Sequence, residues 1–253
     1  MSVHEDSWGF DPGYARRAAP LLGVLYDHYW RVTASGAADV PATGPVMLVA
    51  NHAGPLPWDA VLVAAALQRA GQPRRPRLLV PDSAFERPWL SIAARRLGGV
   101  PDTPENAERL LAEGHLVCVF PEGARGARKP YDRRYRLESF GPGEFAEIAL
   151  RTAATIVPTA VVGSEESYPR LGSVPGLGRA LGAISLPRRV PNPLAAVPLP
   201  ARWRIDFGAP LIASGHDPHR AADRTTVLEL SDMVRDRLQQ AVYDTLVKRE
   251  RAF

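Results

Sequence analysis

The stretch "VMLVANHAGPLPWDAVLVAAALQRAG", residues 46–71, decides the fold. It opens with a continuous apolar run, "VMLVA" (46–50), of the kind that forms a strand buried on both faces. It closes with "WDAVLVAAALQRAG" (58–71), which reads as a helix that begins after Pro57 and stops at Gly71. Between the two stand Asn51, His52 and a loop carrying Pro55 and Pro57, and Asp59 follows in the first helical turn. The prolines exclude an ordinary helix from His52 to Leu56. A loop there can curl back, letting Asp59 accept Nδ1–H of His52 and leaving Nε2 free as a base. The spacing serves a second reading equally well. In that reading Asp59 only favours the positive end of its helix and His52 is satisfied within its loop.

Outward from this unit, strands and helices alternate. "RLLV" (77–80), "LVCVF" (116–120) and "TIVPTAVVG" (155–163) read as further buried strands. "RPWLSIAARRLG", "DTPENAERLLAEG" (102–114) and the segment after "FGPG" read as helices. Thr103 is a natural N-cap, Pro104 suits the first helical position and Gly114 ends that helix. "RWRIDFG" (202–208) alternates and is expected to be a half-exposed or edge strand. A long helix is expected from about 221 to 250, with Val227, Leu230, Val234, Leu238 and Val242 as its apolar stripe. The expected class is α/β, with a mostly parallel central sheet flanked by helices.

Residues 1–35 are expected to stand somewhat apart. From 11 to 32, Tyr14, Ala18, Leu21, Leu25, Tyr29 and Val32 recur at helical spacing, and Pro20 is expected to kink the helix. With arginines on its flanks, such a helix suits either a membrane interface or packing on its own domain. Residues 36–253 then form a single domain. Residues 169–200 break its rhythm with Pro, Gly and small apolar residues, as expected of a lid or pocket wall.

Composition narrows the functions. The chain has 253 residues, 45% of them hydrophobic, enough for a full core. Its one cysteine, Cys118, excludes an intrachain disulfide and sits among apolar neighbours, as an inert core thiol does. The net charge is +4 and only Lys129 and Lys248 are lysines. A basic surface of this kind suits an anionic partner, either membrane phosphate or nucleic acid, but no recognised nucleic-acid motif is present. The acidic start "MSVHEDSWGFDPG" has no apolar leader core, and no apolar run approaches the ~18 residues that span a bilayer. The expectation is a soluble or peripheral protein. His216 and His219 in "GHDPHR" read as a surface turn, and no Gly-x-Ser-x-Gly elbow marks a serine hydrolase.

Reactive groups of open α/β sheets lie just past the carboxyl ends of strands. Asn51-His52 follows one strand, and Pro121-Glu122-Gly123-Ala124-Arg125 follows another. The order "NH…D", then "FPEGAR" (120–125), then "IVPTAVVG" (156–163) resembles the lysophospholipid and glycerolphosphate acyltransferase superfamily over about residues 40–165. The resemblance implies that His52 is a general base and Asp59 its orienting partner. It implies that Asn51, Glu122 and Gly123 belong to the substrate site, with Arg125 meeting an anionic group; Arg128 and Lys129 are added as candidates from the basic run. The implied reaction moves an acyl group from acyl-CoA or acyl-carrier protein to the hydroxyl of a lysophospholipid such as 1-acylglycerol 3-phosphate. No acyl-enzyme, metal or organic cofactor is implied, and the implied place is the inner face of the cytoplasmic membrane.

Two departures bear on the acceptor. Six residues separate His52 from Asp59 where the family has four. The second family block normally carries an arginine for phosphate, but "LGGVPDTPENA" has none. The second departure favours an uncharged or amino-lipid alcohol unless the basic run takes over that role. A non-catalytic basic membrane-binding module is the remaining alternative.

Overall fold

Val46–Ala50 forms strand β2, and all five residues are 0% exposed. Side chains alternate along a strand, so Met47 and Val49 enter one core while Val46, Leu48 and Ala50 enter the other. The computed structural model describes residues 5–53, 57–82, 85–86, 88–167, 198–212, 218–249 and 252–253. The expected lid at 169–200 lies outside them except for residues 198–200, and so does His216.

The other strands are β1 (Thr33–Ser35), β3 (Arg77–Val80), β4 (Gly99–Pro101), β5 (Leu116–Val119), β6 (Thr155–Val162), β7 (Arg204–Phe207) and β8 (Leu211–Ile212). Their order is β1-β7-β6-β2-β5-β3-β4, with β8 also on β6. From β6 to β4 all neighbours are parallel. Both β7 and β8 run antiparallel to β6, and β1 runs parallel to β7. The sheet is therefore mostly parallel, as the strand–helix alternation implies.

Helices cover both faces. On one lie α4 (Pro104–Ala112), α6 (Glu144–Arg151) and the long α8 (Arg224–Lys248). On the other lies α2 (Trp58–Arg69), with residues 26–32 beside it. Thr103 caps α4 by accepting from Asn106 N at 3.3 Å. Asp223 caps α8 by accepting from Thr225 N at 3.1 Å. The expected α8 stripe is the buried one, from Val227 to Val242.

Two local expectations need correction. Strand β7 is neither half-exposed nor at an edge. The short β1 covers its outer side, and Ile205 and Phe207 are buried. Its polar Asp206 is buried as well, accepting from Ser35 Oγ at 2.5 Å and from Thr245 Oγ1 at 3.1 Å. At Asp206 the alternation of "RWRIDFG" therefore records a satisfied buried polar group, while Arg202 is exposed.

The N-terminal helix also differs from its expected form. Helix α1 (Pro12–Val24) runs through Pro20, and the irregularity comes later, as a π turn over Leu25–Tyr29. There Trp30 N–H reaches back five residues to Leu25 O, at 2.8 Å. Ala15, Tyr26 and Trp30 are inside, while Leu21, expected in the apolar stripe, is 66% exposed. The remaining helices are α3 (Pro88–Arg96), α5 (Gly123–Ala127) and α7 (Ser164–Ser167).

Truncating the α8 stripe tests this core. Leu238→Ala is expected to lower the unfolding free energy by about 2–5 kcal/mol in a urea titration. Leu228→Ala, on the exposed side of the same helix, should cost less than about 1 kcal/mol.

Candidate active site

Sheet register brings two chemistry-bearing loops level. Strands β2 and β5 pair with Val49 opposite Val119. Three residues farther on, His52 therefore stands opposite Glu122. The hydrogen bond between them bears this out: His52 N donates to Glu122 Oε1 at 2.9 Å.

Asn51 fixes the height of His52 on the other side. Its Nδ2 donates to Val161 O and its Oδ1 accepts from Val161 N, both at 2.7 Å. The side chain thus replaces a backbone pair where β2 has ended, so the residue before the histidine stays locked to β6. Asn51 is buried and its polar atoms are engaged within the protein.

His52 and Asp59 meet. His52 Nδ1 lies 2.5 Å from Asp59 Oδ2, and the Asp59 side chain is fully buried while 13% of the His52 side chain is exposed. Asp59 is held in turn by Ala53 N at 3.2 Å and by Ala60 N at 2.9 Å. The start of α2 is itself anchored, because the Trp58 ring packs at 5.1 Å on Trp30, which packs at 5.6 Å on Trp203. Between His52 and Asp59, residues 54–56 lie outside the described ones.

The electrostatics favour a strong base. Burial works against the imidazolium, but the Asp59 carboxylate outweighs it with help from Glu122, so the His52 pKa is raised above its ordinary value. With Asp59 accepting Nδ1–H, the lone pair is on Nε2. By contrast Cys118 is wholly buried, and burial pushes its thiol pKa far up, as expected of an inert thiol.

Beyond β5 the chain turns at Gly123, which has φ +54, into the single turn α5. Gly126 has no room for a side chain: an added Cβ would stand 2.7 Å from Glu122 Cβ and 3.0 Å from His52 O. Sequence reading did not single out Gly126, although its place three residues after Gly123 was a signal. Glu122 is buried, and its Oε2 accepts from Glu138 N at 2.7 Å and pairs with Lys129 Nζ at 3.0 Å. Lys129 also pairs with Glu165 Oε1 at 3.1 Å. Arg125 and Arg128 are exposed, and Arg125 donates to Ser139 O at 3.0 Å.

A cleft of about 390 Å³ opens beside Phe120 and Glu122. Met47, Leu79, Phe140 and Phe145 give it apolar walls, while Asp102, Glu144 and Arg125 bring charge. Phe120 links this cleft to His52, its ring lying 5.2 Å from the imidazole. Burial raises the Asp102 pKa, and the Glu144 and Asp82 carboxylates add to the effect.

The chain is similar to known proteins. The acyltransferase family model matches residues 31–162, which is 132 of the 253 residues. A Mycobacterium tuberculosis protein described as uncharacterized is 41% identical over 254 residues, covering 98% of this chain and 71% of that protein. Phytyl ester synthase 1, chloroplastic, of Arabidopsis thaliana is 27% identical over 245 residues, covering 85% of this chain and 34% of the synthase. The crystal structure of the 1-acyl-sn-glycerophosphate (LPA) acyltransferase PlsC from Thermotoga maritima shares the fold. Its TM-score is 0.54 at 18% identity, over 90% of this chain and 78% of that one. The chain belongs to the acyltransferase family and is an acyltransferase enzyme.

Proposed function

We propose that the protein moves a fatty acyl group from a thioester, acyl-CoA or acyl-carrier protein, to the hydroxyl of a lipid alcohol that carries no phosphate. The observation that carries the chemistry is the 2.5 Å contact between His52 Nδ1 and the buried Asp59. His52 Nε2 takes the hydroxyl proton as the oxygen attacks the thioester carbonyl. A C–O bond forms, the C–S bond breaks, and the leaving thiolate takes the proton back from the imidazolium. No acyl-enzyme arises and the residues named need no cofactor. General-base catalysis supplies roughly 10²–10⁴-fold, with the remainder from positioning.

The cleft supports the choice of acceptor. Where a phosphate site wants cations, this wall brings Asp102 and Glu144 against Arg125 alone, and Glu122 is already paired with Lys129. Its apolar walls suit a hydrocarbon chain. The second reading is a phosphate-bearing acceptor such as 1-acylglycerol 3-phosphate, favoured by the exposed Arg125 and Arg128 beside a second hollow.

A lipid acceptor calls for a membrane surface, here the inner face of the cytoplasmic membrane. Among the described residues no helix is long and apolar enough to cross a membrane. Helix α1 offers a peripheral contact instead: Leu21 and Val24 are 66% and 56% exposed, and Arg16 and Arg17 are exposed beside them.

The base must be neutral to act, and its raised pKa means that it is neutral only above its ordinary range. In acyl-transfer assays kcat/KM is expected to fall as pH drops through an inflection above about 6.5. His52→Ala should lose at least about 10²-fold. Asp59→Asn should lower the rate and move the inflection to lower pH, because it removes the largest influence that raises the His52 pKa.

Thiol release from acyl-CoA should be stimulated more by a long-chain alcohol, a monoacylglycerol or an amino alcohol than by lysophosphatidic acid. Preference for the phosphate-bearing lipid would move the acceptor to the second reading.

A Leu21→Asp/Val24→Asp variant is expected to lose cosedimentation with anionic vesicles while keeping its circular dichroism. Point changes are used because truncation through residue 30 would remove the core residue Trp30.

A further inference from the structure

Lys129 stands in the most basic stretch of the chain, "ARGARKPYDRRYR" (124–136). Arg125, Arg128, Arg133 and Arg136 in that stretch are exposed, and Lys129 is buried. Its side chain is 2% exposed, and its ammonium sits between Glu122 Oε2 at 3.0 Å and Glu165 Oε1 at 3.1 Å. A compact ammonium suits this place, because it can point separate N–H groups at carboxylates from two different elements. Neither carboxylate has an oxygen to spare. Glu122 gives Oε1 to His52 N and also accepts from Glu138 N, and the other oxygen of Glu165 accepts from Tyr135 N at 2.7 Å.

We infer that Lys129 is a positioning residue for the acyl transfer: held between Glu122 and Glu165, it fixes Glu122 against the backbone of His52 and offsets the charge that Glu122 presents to the imidazole. The charged groups facing His52 are Asp59 from α2, Glu122 from the turn after β5, and Lys129 from just past α5. Asp59 and Glu122 favour the imidazolium and Lys129 opposes it. Burial opposes the charge on Lys129, but Glu122 and Glu165 outweigh it and hold the ammonium protonated. Burial also pushes Glu165 up to about 7, against the pull of Lys129 and Arg134 and with the push of Glu122. One cation thus serves two carboxylates, and what it gives to Glu165 it withholds from Glu122.

The consequence for catalysis rests on the reading of His52 as the base; the consequence for its titration does not. The test therefore has two readouts. One is the acid limb of kcat/KM. The other is the titration of the His52 ring by NMR in protein labelled with 15N-histidine, assigned with His52→Gln. Lys129→Met is expected to raise the His52 pKa by roughly half a unit or more, since it uncovers Glu122. Glu165→Gln keeps the shape, removes the competitor, and is expected to lower it. The acid limb should follow in both variants. A His52 titration unmoved, or moved the other way, in either folded variant overturns the inference. If Lys129→Met does not fold, Glu165→Gln decides alone. A titration that moves while kcat/KM has no acid limb would instead remove His52 as the base, and with it the part of Lys129 in the acyl transfer, and leave only its hold on Glu122 and the imidazole standing.

Discussion

Glu122 accepts from the backbone N–H groups of His52 and Glu138 and meets the ammonium of Lys129. A buried carboxylate without such partners would be strongly destabilising, so these groups are bound to one another as firmly as to their own strands. Through Glu122 the end of β2, the turn into α5 and the segment before α6 become one rigid corner. Gly126 lets α5 close on it, because any side chain there would push against Glu122 and His52 O. Every other feature of the site is arranged around this corner.

The division of labour between the two acids near His52 follows from their surroundings. Asp59 touches the ring at Nδ1 and so sets its tautomer and orientation. Glu122 touches only the backbone N–H, so it sets where the residue stands. Removing the first should alter the chemistry of the ring. Removing the second should alter its location and take away a smaller part of what raises its pKa. Asn51 adds a third restraint from β6, at right angles to the others in function: it sets the height of the loop above the sheet.

Much of this was legible in the residues. Continuous apolar runs gave away the central strands, since only a parallel sheet covered on both faces wants them. The place of His52 and Glu122 past two such strands followed from the same reasoning, and the pairing of His52 with Asp59 was one of its two open outcomes. Short strands were not legible: β1, β4 and β8 have two or three residues each, too few to hold a period. The π turn after α1 was hidden because no residue type marks it in the sequence. Lys129 was misleading in another way. It looks like its arginine neighbours in the chain, and only the folded structure shows it turned inward toward two acids.

The bonds of Asn51 to Val161 span 110 residues. The strand that leads into His52 finds its neighbours only when β5 and β6 have been made, and β6 gains β7 later still. During synthesis "VMLVA" must therefore wait for Leu116–Val119 to gain its first neighbour, and it lacks its second until Thr155–Thr159 has emerged, more than a hundred residues on. Distant pairings of this kind are slow to form and leave sticky segments exposed in the interval. The same side chain that holds His52 still in the finished protein cannot make its bonds until Val161, 110 residues on, has been made.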